Sequence, residues 1–145
     1  MKKIMTLLLC AIIGITAKAE GQYIFDGMLE AIQKNYRWNT TNYQPMEGNY
    51  DLTNLSYRGQ ILIQVVPCFD CADMSERLAL YVDVPPSKMN KFKSLKYYSF
   101  FEEERIGDNK YYANCQNDIF LAAKIASDVL LNFFDIPYSA DITYE

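Results

Sequence analysis

Cys68 and Cys71, separated by two residues, are the side chains whose type and spacing are best suited to chemistry in this sequence. Two cysteines at this spacing form a small disulfide ring or a redox-active pair, and an oxidising compartment favours the bond. Cys115 is the third cysteine beyond the apolar N-terminal run. We therefore expect one disulfide among Cys68, Cys71 and Cys115, with one thiol left over.

These three cysteines can pair in more than one way, and each pairing would indicate a different role for the disulfide. A bond from Cys115 to Cys68 or to Cys71 would close a loop of roughly 45 residues and stabilise the fold by about 3–4 kcal/mol in the chain-entropy model. A bond between Cys68 and Cys71 closes almost nothing, so the long-range bond is the better structural bridge. The local bond would suit a redox protein, although too few residues follow Cys71 for the long helix that lowers a thiol pKa.

The chain contains no histidine. This excludes Ser-His-Asp and Cys-His nucleophile systems, and it removes the imidazole ligands of most catalytic zinc sites. Asp70, Asp73 and Glu76 follow one another at steps of three and could offer oxygen ligands to calcium, but their spacing fits no EF-hand loop. We interpret them as a solvated loop, and we predict no catalytic residue, no metal site and no cofactor.

Aromatic residues are abundant, with 12 tyrosines, 8 phenylalanines and 1 tryptophan. Rings serve protein cores first and interfaces second. The densest group lies in a predicted hairpin, where it is either part of the core or an exposed patch that binds a partner. Its members are Tyr97, Tyr98, Phe100, Tyr111 and Tyr112.

Hydrophobic periodicity predicts the elements that position these residues. Arg58 and Gly59 mark a turn, Ser87 and Asn117 are expected to cap helices, and the tail from Ser139 to Glu145 either adds an edge strand or lies loose. The predicted elements are a helix at 22–37, strands at 50–57, 60–66 and 77–84, a short helix at 87–95, hairpin strands at 97–103 and 110–115, and a helix at 117–134.

Strands joined by short turns imply an antiparallel sheet, and amphipathic helices must bury their apolar faces against it. The sequence therefore predicts the α+β class: a two-layer domain in which an N-terminal and a C-terminal helix pack on an antiparallel sheet of four to five strands.

The order of these elements resembles the type III secretion chaperone-like fold, which includes the YbjN-type sensory and chaperone-like proteins. The similarity runs from about residue 22 to residue 134, and its most similar piece is the strand-turn-strand sequence YDLTNLSYRGQILI at 50–63. The resemblance implies an N-terminal helix, a three-stranded meander, a middle helix, two more strands and a C-terminal helix. It also implies a binding platform without an active site.

The first nineteen residues have the layout of a secretory signal peptide. Two lysines precede an apolar run at 7–15, and a small-x-small cleavage site follows at 17–19. The apolar run is too short to span a membrane. We expect residues 1–19 to be removed and residues 20–145 to form a single α+β domain that is periplasmic or secreted.

Charge narrows the range of partners. Removal of the predicted signal lowers the number of basic residues from 14 to 11 against 18 acidic ones, which gives a net charge of about −7. Such a chain is a poor candidate for binding nucleic acid or an anionic membrane surface, and no later segment is apolar enough to span a membrane.

We expect an exported, non-catalytic protein-binding module of chaperone-like or immunity type. The alternatives are a thiol-disulfide redox protein that uses Cys68 and Cys71, and a secreted small-ligand-binding protein.

Overall fold

The computed structural model describes residues 25–36, 52–68, 77–105 and 107–145, and it confirms the α+β class. Residues 1–19, where a signal peptide is predicted, lie outside these ranges. The three helices are α1 (25–36), α2 (Met89–Lys93) and α3 (Ile119–Asp128). The strands are β1 (Thr53–Tyr57), β2 (Gln60–Cys68), β3 (Arg77–Asp83), β4 (Phe101–Glu103), β5 (Lys110–Asn114) and β6 (Thr143–Tyr144).

The strands form one sheet in the order β4-β5-β3-β2-β1-β6, and all neighbours are antiparallel. The sheet has six strands rather than the expected four to five, because the tail pairs with β1 as an edge strand. Strand β5 lies between β3 and β4. Since β3 and β4 are both antiparallel to β5, they run in the same direction, and the segment with α2 crosses over between them.

The hairpin from β1 to β2 turns at Arg58 and Gly59, as expected. Both residues have positive φ angles, 51° and 78°, which is the backbone of a type I′ turn. A bulge follows, because Leu55 pairs with Ile63 whereas the next residue of β1 pairs with Ile61. The extra residue, Leu62, is buried beside the buried Ile63, while the side chain of Ile61 is 51% exposed.

The predicted strand at 60–66 ends too early, because β2 continues past Pro67 to Cys68. Pro67 lies opposite Leu78 of β3. The N–H of Leu78 donates to the carbonyl of Gln116 at 2.6 Å, and its carbonyl accepts from the N–H of Cys115 at 2.7 Å. Both backbone groups of Leu78 thus face the segment that follows β5, so Pro67 is not required to donate a hydrogen bond to β3.

One hydrophobic core lies on one side of the sheet. In β3 the buried residues alternate as the pleat requires, with Leu78, Leu80 and Val82 at most 1% exposed. The buried side chains of all three helices join this same cluster. From the helices the cluster includes Met28, Ile32, Phe92, Ala122, Ala123, Ile125 and Ala126.

Phe92 of α2 is fully buried and lies at the centre of an aromatic cluster. Its ring centroid lies 5.6 Å from that of Tyr98, 4.9 Å from Phe101, 5.3 Å from Tyr111 and 5.4 Å from Phe133. Three of these contacts are edge-to-face, a geometry that adds to the stabilisation from buried apolar surface. The cluster therefore packs the crossover against the sheet and against the π-helical segment Val129–Phe133, which continues α3 and carries Phe133.

The prediction of one strand over residues 97–103 is wrong. Residues Tyr98–Phe100 form a 3₁₀ turn, and only Phe101–Glu103 is extended. The N–H of Tyr97 donates at 3.2 Å to Oδ2 of the buried Asp128, which fixes this segment against α3. This tertiary hydrogen bond competes with strand pairing for the backbone of the segment.

Both predicted helix caps are also wrong. Ser87 lies inside a 3₁₀ turn, Pro86–Lys88, that precedes α2, and it caps nothing. The cap of α3 is Asp118 rather than Asn117, since Oδ1 of Asp118 accepts from the N–H of Leu121 at 2.9 Å.

Replacement of Phe92 by alanine should lower the free energy of unfolding by about 3–5 kcal/mol, because it leaves a cavity in contact with four rings. Urea unfolding monitored by circular dichroism measures this loss. Phe120, whose side chain is 57% exposed, is the matched control. Phe120→Ala should change the free energy by no more than about 0.5 kcal/mol. Equal losses for the two variants would contradict the central place of Phe92.

Candidate partner-binding face

The pleat directs a second set of side chains away from the core. Tyr81 lies between the buried Leu80 and Val82, and Tyr112 precedes the buried Ala113. We call the side of the sheet that carries these alternate residues the outer face. Its side chains are exposed or half-buried, and every helix in the described ranges sends its buried side chains to the other side.

A continuous row of polar and aromatic side chains crosses the outer face over five strands. Strand register places its members directly opposite one another. In spatial order they are Asn54, Gln64, Tyr81, Tyr112 and Glu102, and we call them the tyrosine row.

Direct contacts hold the tyrosine row together at both ends. The Nε2 group of Gln64 donates to Oδ1 of Asn54 at 3.1 Å, and the Tyr112 hydroxyl donates to Oε2 of Glu102 at 2.7 Å. The rings of Tyr81 and Tyr112 lie with their centroids 5.8 Å apart at 31°. These contacts orient the row before any partner arrives, which reduces the entropy lost on binding.

A shallow depression adjoins the row at the start of β2 and the end of β3. Its volume is about 160 Å³, whereas pockets for drug-sized ligands are about 300–1,000 Å³. The depression therefore suits a single side chain of a partner better than a small-molecule ligand. Its lining residues are Ile61, Leu62, Gln64, Tyr81, Asp83 and Lys110.

Burial and nearby carboxylates raise the pKa values of the two tyrosines. The hydrogen bond to Glu102 raises the pKa of Tyr112, and partial burial and the charges of Glu102 and Glu104 act in the same direction. Burial raises the pKa of Tyr81, with a further contribution from Glu104. Both phenols are therefore protonated at neutral pH and act as hydrogen-bond donors rather than as bases.

The aromatic group of the predicted hairpin, for which the sequence left core and exposed patch as alternatives, is divided between the two sides of the sheet. Tyr98 and Tyr111 pack against Phe92 on the core side. Tyr97 lies with its ring centroid 6.0 Å from that of Phe100, whose side chain is 41% exposed. Of this group, only Tyr112 belongs to the tyrosine row.

Sequence reasoning missed four members of the tyrosine row: Asn54, Gln64, Tyr81 and Glu102. The alternation of β3 was a usable signal, because a tyrosine between Leu80 and Val82 must lie opposite the core. The pairing of Tyr81 with Tyr112 was not visible in the same way, since it depends on β5 entering the sheet beside β3.

Cys115 is a free, buried thiol in this structure. Burial raises its pKa to about 12, with a smaller contribution from Asp118. Strand β3 lies between Cys68 in β2 and the end of β5, and two inter-strand spacings amount to roughly 9–10 Å. A disulfide requires Cα atoms about 4.4–6.8 Å apart, so the strand order argues against a bond between Cys68 and Cys115.

The other cysteine pairings stay predictions. Cys71 lies outside the described residues, and nothing of the Cys68 side chain is described. The loop with Asp70, Asp73 and Glu76, interpreted above as solvated, also lies outside them. Within the described ranges, no group of three or more cysteine, aspartate or glutamate side chains could hold a metal ion. No helix in these ranges is both long enough and apolar enough to cross a membrane.

No family model matches the chain, and neither a curated protein nor a solved structure matches it significantly. The resemblance to the type III secretion chaperone-like fold therefore stays a prediction that rests on the order of the elements. Function must be argued from the surface of the molecule.

Cys115 should react with iodoacetamide at pH 8 at least about a hundredfold more slowly in the native protein than in urea, because the thiolate is the nucleophile. The variant Cys68→Ser/Cys71→Ser leaves this thiol as the reporter in residues 20–145. Mass spectrometry of timed samples measures the rate. Comparable native and unfolded rates would contradict the buried environment.

The raised pKa of the Cys115 thiol makes the stability of the protein fall as the pH rises. Its folded pKa is raised to about 12 from an ordinary value of 9.0, so its contribution to stability is complete below pH 9 and is lost as the pH rises towards 12. Cys115→Ala removes this contribution, so the variant should lose less stability than the parent over that interval.

Proposed function

We propose that this protein is an exported, non-catalytic protein-binding module of chaperone-like or immunity type that binds its partner on the outer face. The observation that carries the proposal is the tyrosine row, which crosses five strands and is covered by no helix of the described ranges. A half-buried tyrosine pair between hydrogen-bonding ends has the composition of a recognition surface, because tyrosine is enriched at interfaces and loses little entropy on binding.

The outer face supplies about half of the area that one side of a standard protein interface buries. Five strands at about 4.8 Å each give a width of roughly 24 Å, and five residues at about 3.4 Å give a length of roughly 17 Å. This area of about 400 Å² is half of the roughly 800 Å² that each side of a standard interface buries. A partner would therefore also contact the margins of the sheet.

The alternatives have less support. The depression of about 160 Å³ is small for a secreted ligand-binding protein. A redox function would depend on Cys68 and Cys71, and the one cysteine whose side chain is described, Cys115, is buried with a raised pKa. The resemblance to the type III secretion chaperone-like fold implies a binding platform without an active site, and this implication favours the proposal.

Photo-crosslinking tests the proposal at defined positions. The photoreactive residue p-benzoylphenylalanine replaces Tyr81 and, separately, Ile61 on the outer face. Phe120 and Tyr138 are matched controls, since their side chains are 57% and 55% exposed and lie off the outer face. In the exported fraction of the source cell we expect one discrete adduct of the same mass from Tyr81 and Ile61, and no such adduct from the controls. Adducts from Phe120 alone, or none from the outer face, would overturn the proposal.

Export is tested separately from binding. Expression with residues 1–19 present should yield, in the periplasmic fraction of a Gram-negative host, a protein that begins near Glu20, because the small residues at 17 and 19 fit the signal peptidase. Intact-mass measurement reads the cleavage. A variant that lacks residues 7–15 should stay uncleaved and intracellular. An uncut wild-type chain in the cytosol would contradict export.

A further inference from the structure

Carboxylates outnumber cations where β3, β4 and β5 meet on the outer face. Lys110 pairs in register with Asp83 of β3, and on its other side its carbonyl accepts from the N–H of Glu104 at 2.8 Å. Glu102 lies two residues from Glu104 along the chain, opposite Tyr112 and on the same face. In this part of the described sheet, one lysine therefore lies among three carboxylates.

The tyrosine pair lies beside this acidic region. Glu102 is hydrogen-bonded to Tyr112, and the charge of Glu104 acts on both Tyr81 and Tyr112. Ring faces and carboxylates thus occur together on one rigid, antiparallel surface. This combination attracts a cation in two ways, through the ring quadrupole and through charge.

We propose that the partner presents a basic segment, and that a lysine or arginine side chain of that segment binds over Tyr81 and Tyr112 beside Glu102 and Glu104. This inference rests on the proposed function of the outer face and names the chemistry of its partner.

The geometry of Glu102 favours a guanidinium or ammonium group. An ionised carboxylate offers about four lone-pair sites, and the Tyr112 hydroxyl occupies one of them. The remaining sites are free to accept a charge-assisted hydrogen bond, which is stronger than a neutral one. Since Tyr112 already fixes the carboxylate of Glu102, binding costs less free energy for the ordering of this side chain.

Charge selects against other occupants of the outer face. The full chain has a net charge of −4, which falls to about −7 without the predicted signal. A long-range negative field accelerates the approach of a basic partner. A second copy of this chain, docked by the same face, would bring Glu102 and Glu104 towards carboxylates, and like charges at an interface are unfavourable.

A peptide titration tests the inference directly. The probe is an acetylated, amidated octapeptide of alternating arginine and serine, and its control contains glutamate in place of arginine. Added to ¹⁵N-labelled protein of residues 20–145, the arginine peptide should shift amide resonances of β3, β4 and β5, whereas the glutamate peptide should not. Equal effects of both peptides, or shifts confined to other elements, would overturn the inference.

Matched variants separate a specific site from a diffuse field. Glu102 and Glu103 are adjacent, exposed and equally charged, but Glu103 pairs with Tyr111, on the opposite side of the sheet. Glu102→Gln should weaken binding of the arginine peptide about threefold to fivefold, as expected for one exposed charge pair. Glu103→Gln should leave the affinity within error of the parent. Equal weakening by both variants would overturn the inference.

The crosslinking experiment keeps the two proposals distinguishable. If the partner captured from position 81 contacts it through a segment without lysine and arginine, the inference of a basic segment is overturned and the proposed function stays intact. Capture of a second copy of this chain would also overturn the inference of a basic segment. A captured segment that contains lysine or arginine, combined with the effect of Glu102→Gln, supports both proposals.

Discussion

The insertion of β5 between β3 and β4 is the arrangement on which the rest of this structure depends. It makes β3 and β4 parallel to each other, so the chain must cross over through α2. It also brings Tyr112 between Tyr81 and Glu102, which no local hairpin of consecutive strands would do. The tyrosine row is thus a product of non-local strand pairing.

The core and the outer face are coupled through this inserted strand. Consecutive residues of β5 face opposite sides, so Tyr111 packs on Phe92 while Tyr112 binds Glu102. Loss of the aromatic cluster would loosen the crossover and, with it, the strand that positions the outer tyrosine. A stable core is therefore a condition for an ordered binding surface, and variants on the two sides of the sheet must be compared with stability controls.

Much of the fold could be predicted from the sequence, because strong periodic segments decide their own structure. The alternation of Leu78, Leu80 and Val82 and the Arg58-Gly59 turn are local signals that led to the correct elements. The failures lie where tertiary contacts compete with local pattern. The carboxylate of Asp128 holds the backbone at Tyr97 in a turn that periodicity alone assigns to a strand.

The site was harder to predict than the fold. The aromatic group at 97–112 was a reasonable candidate by composition, but adjacent rings in a strand separate to opposite faces, and the 3₁₀ turn moves the others away. Strand order was also needed to judge the disulfide, since β3 separates Cys68 from Cys115. Spacing along the chain contains neither kind of information.

The bulge in β2 changes which side chains reach the surface near the hairpin. By adding Leu62 to the strand, it reverses the phase of the pleat near the hairpin, so a branched aliphatic side chain, Ile61, emerges at the margin of a predominantly hydrophilic area. Water beside that isoleucine would be released when another polypeptide covers it. One inserted residue thereby adds a small dehydration gain next to a region that otherwise recognises charge and hydrogen bonds.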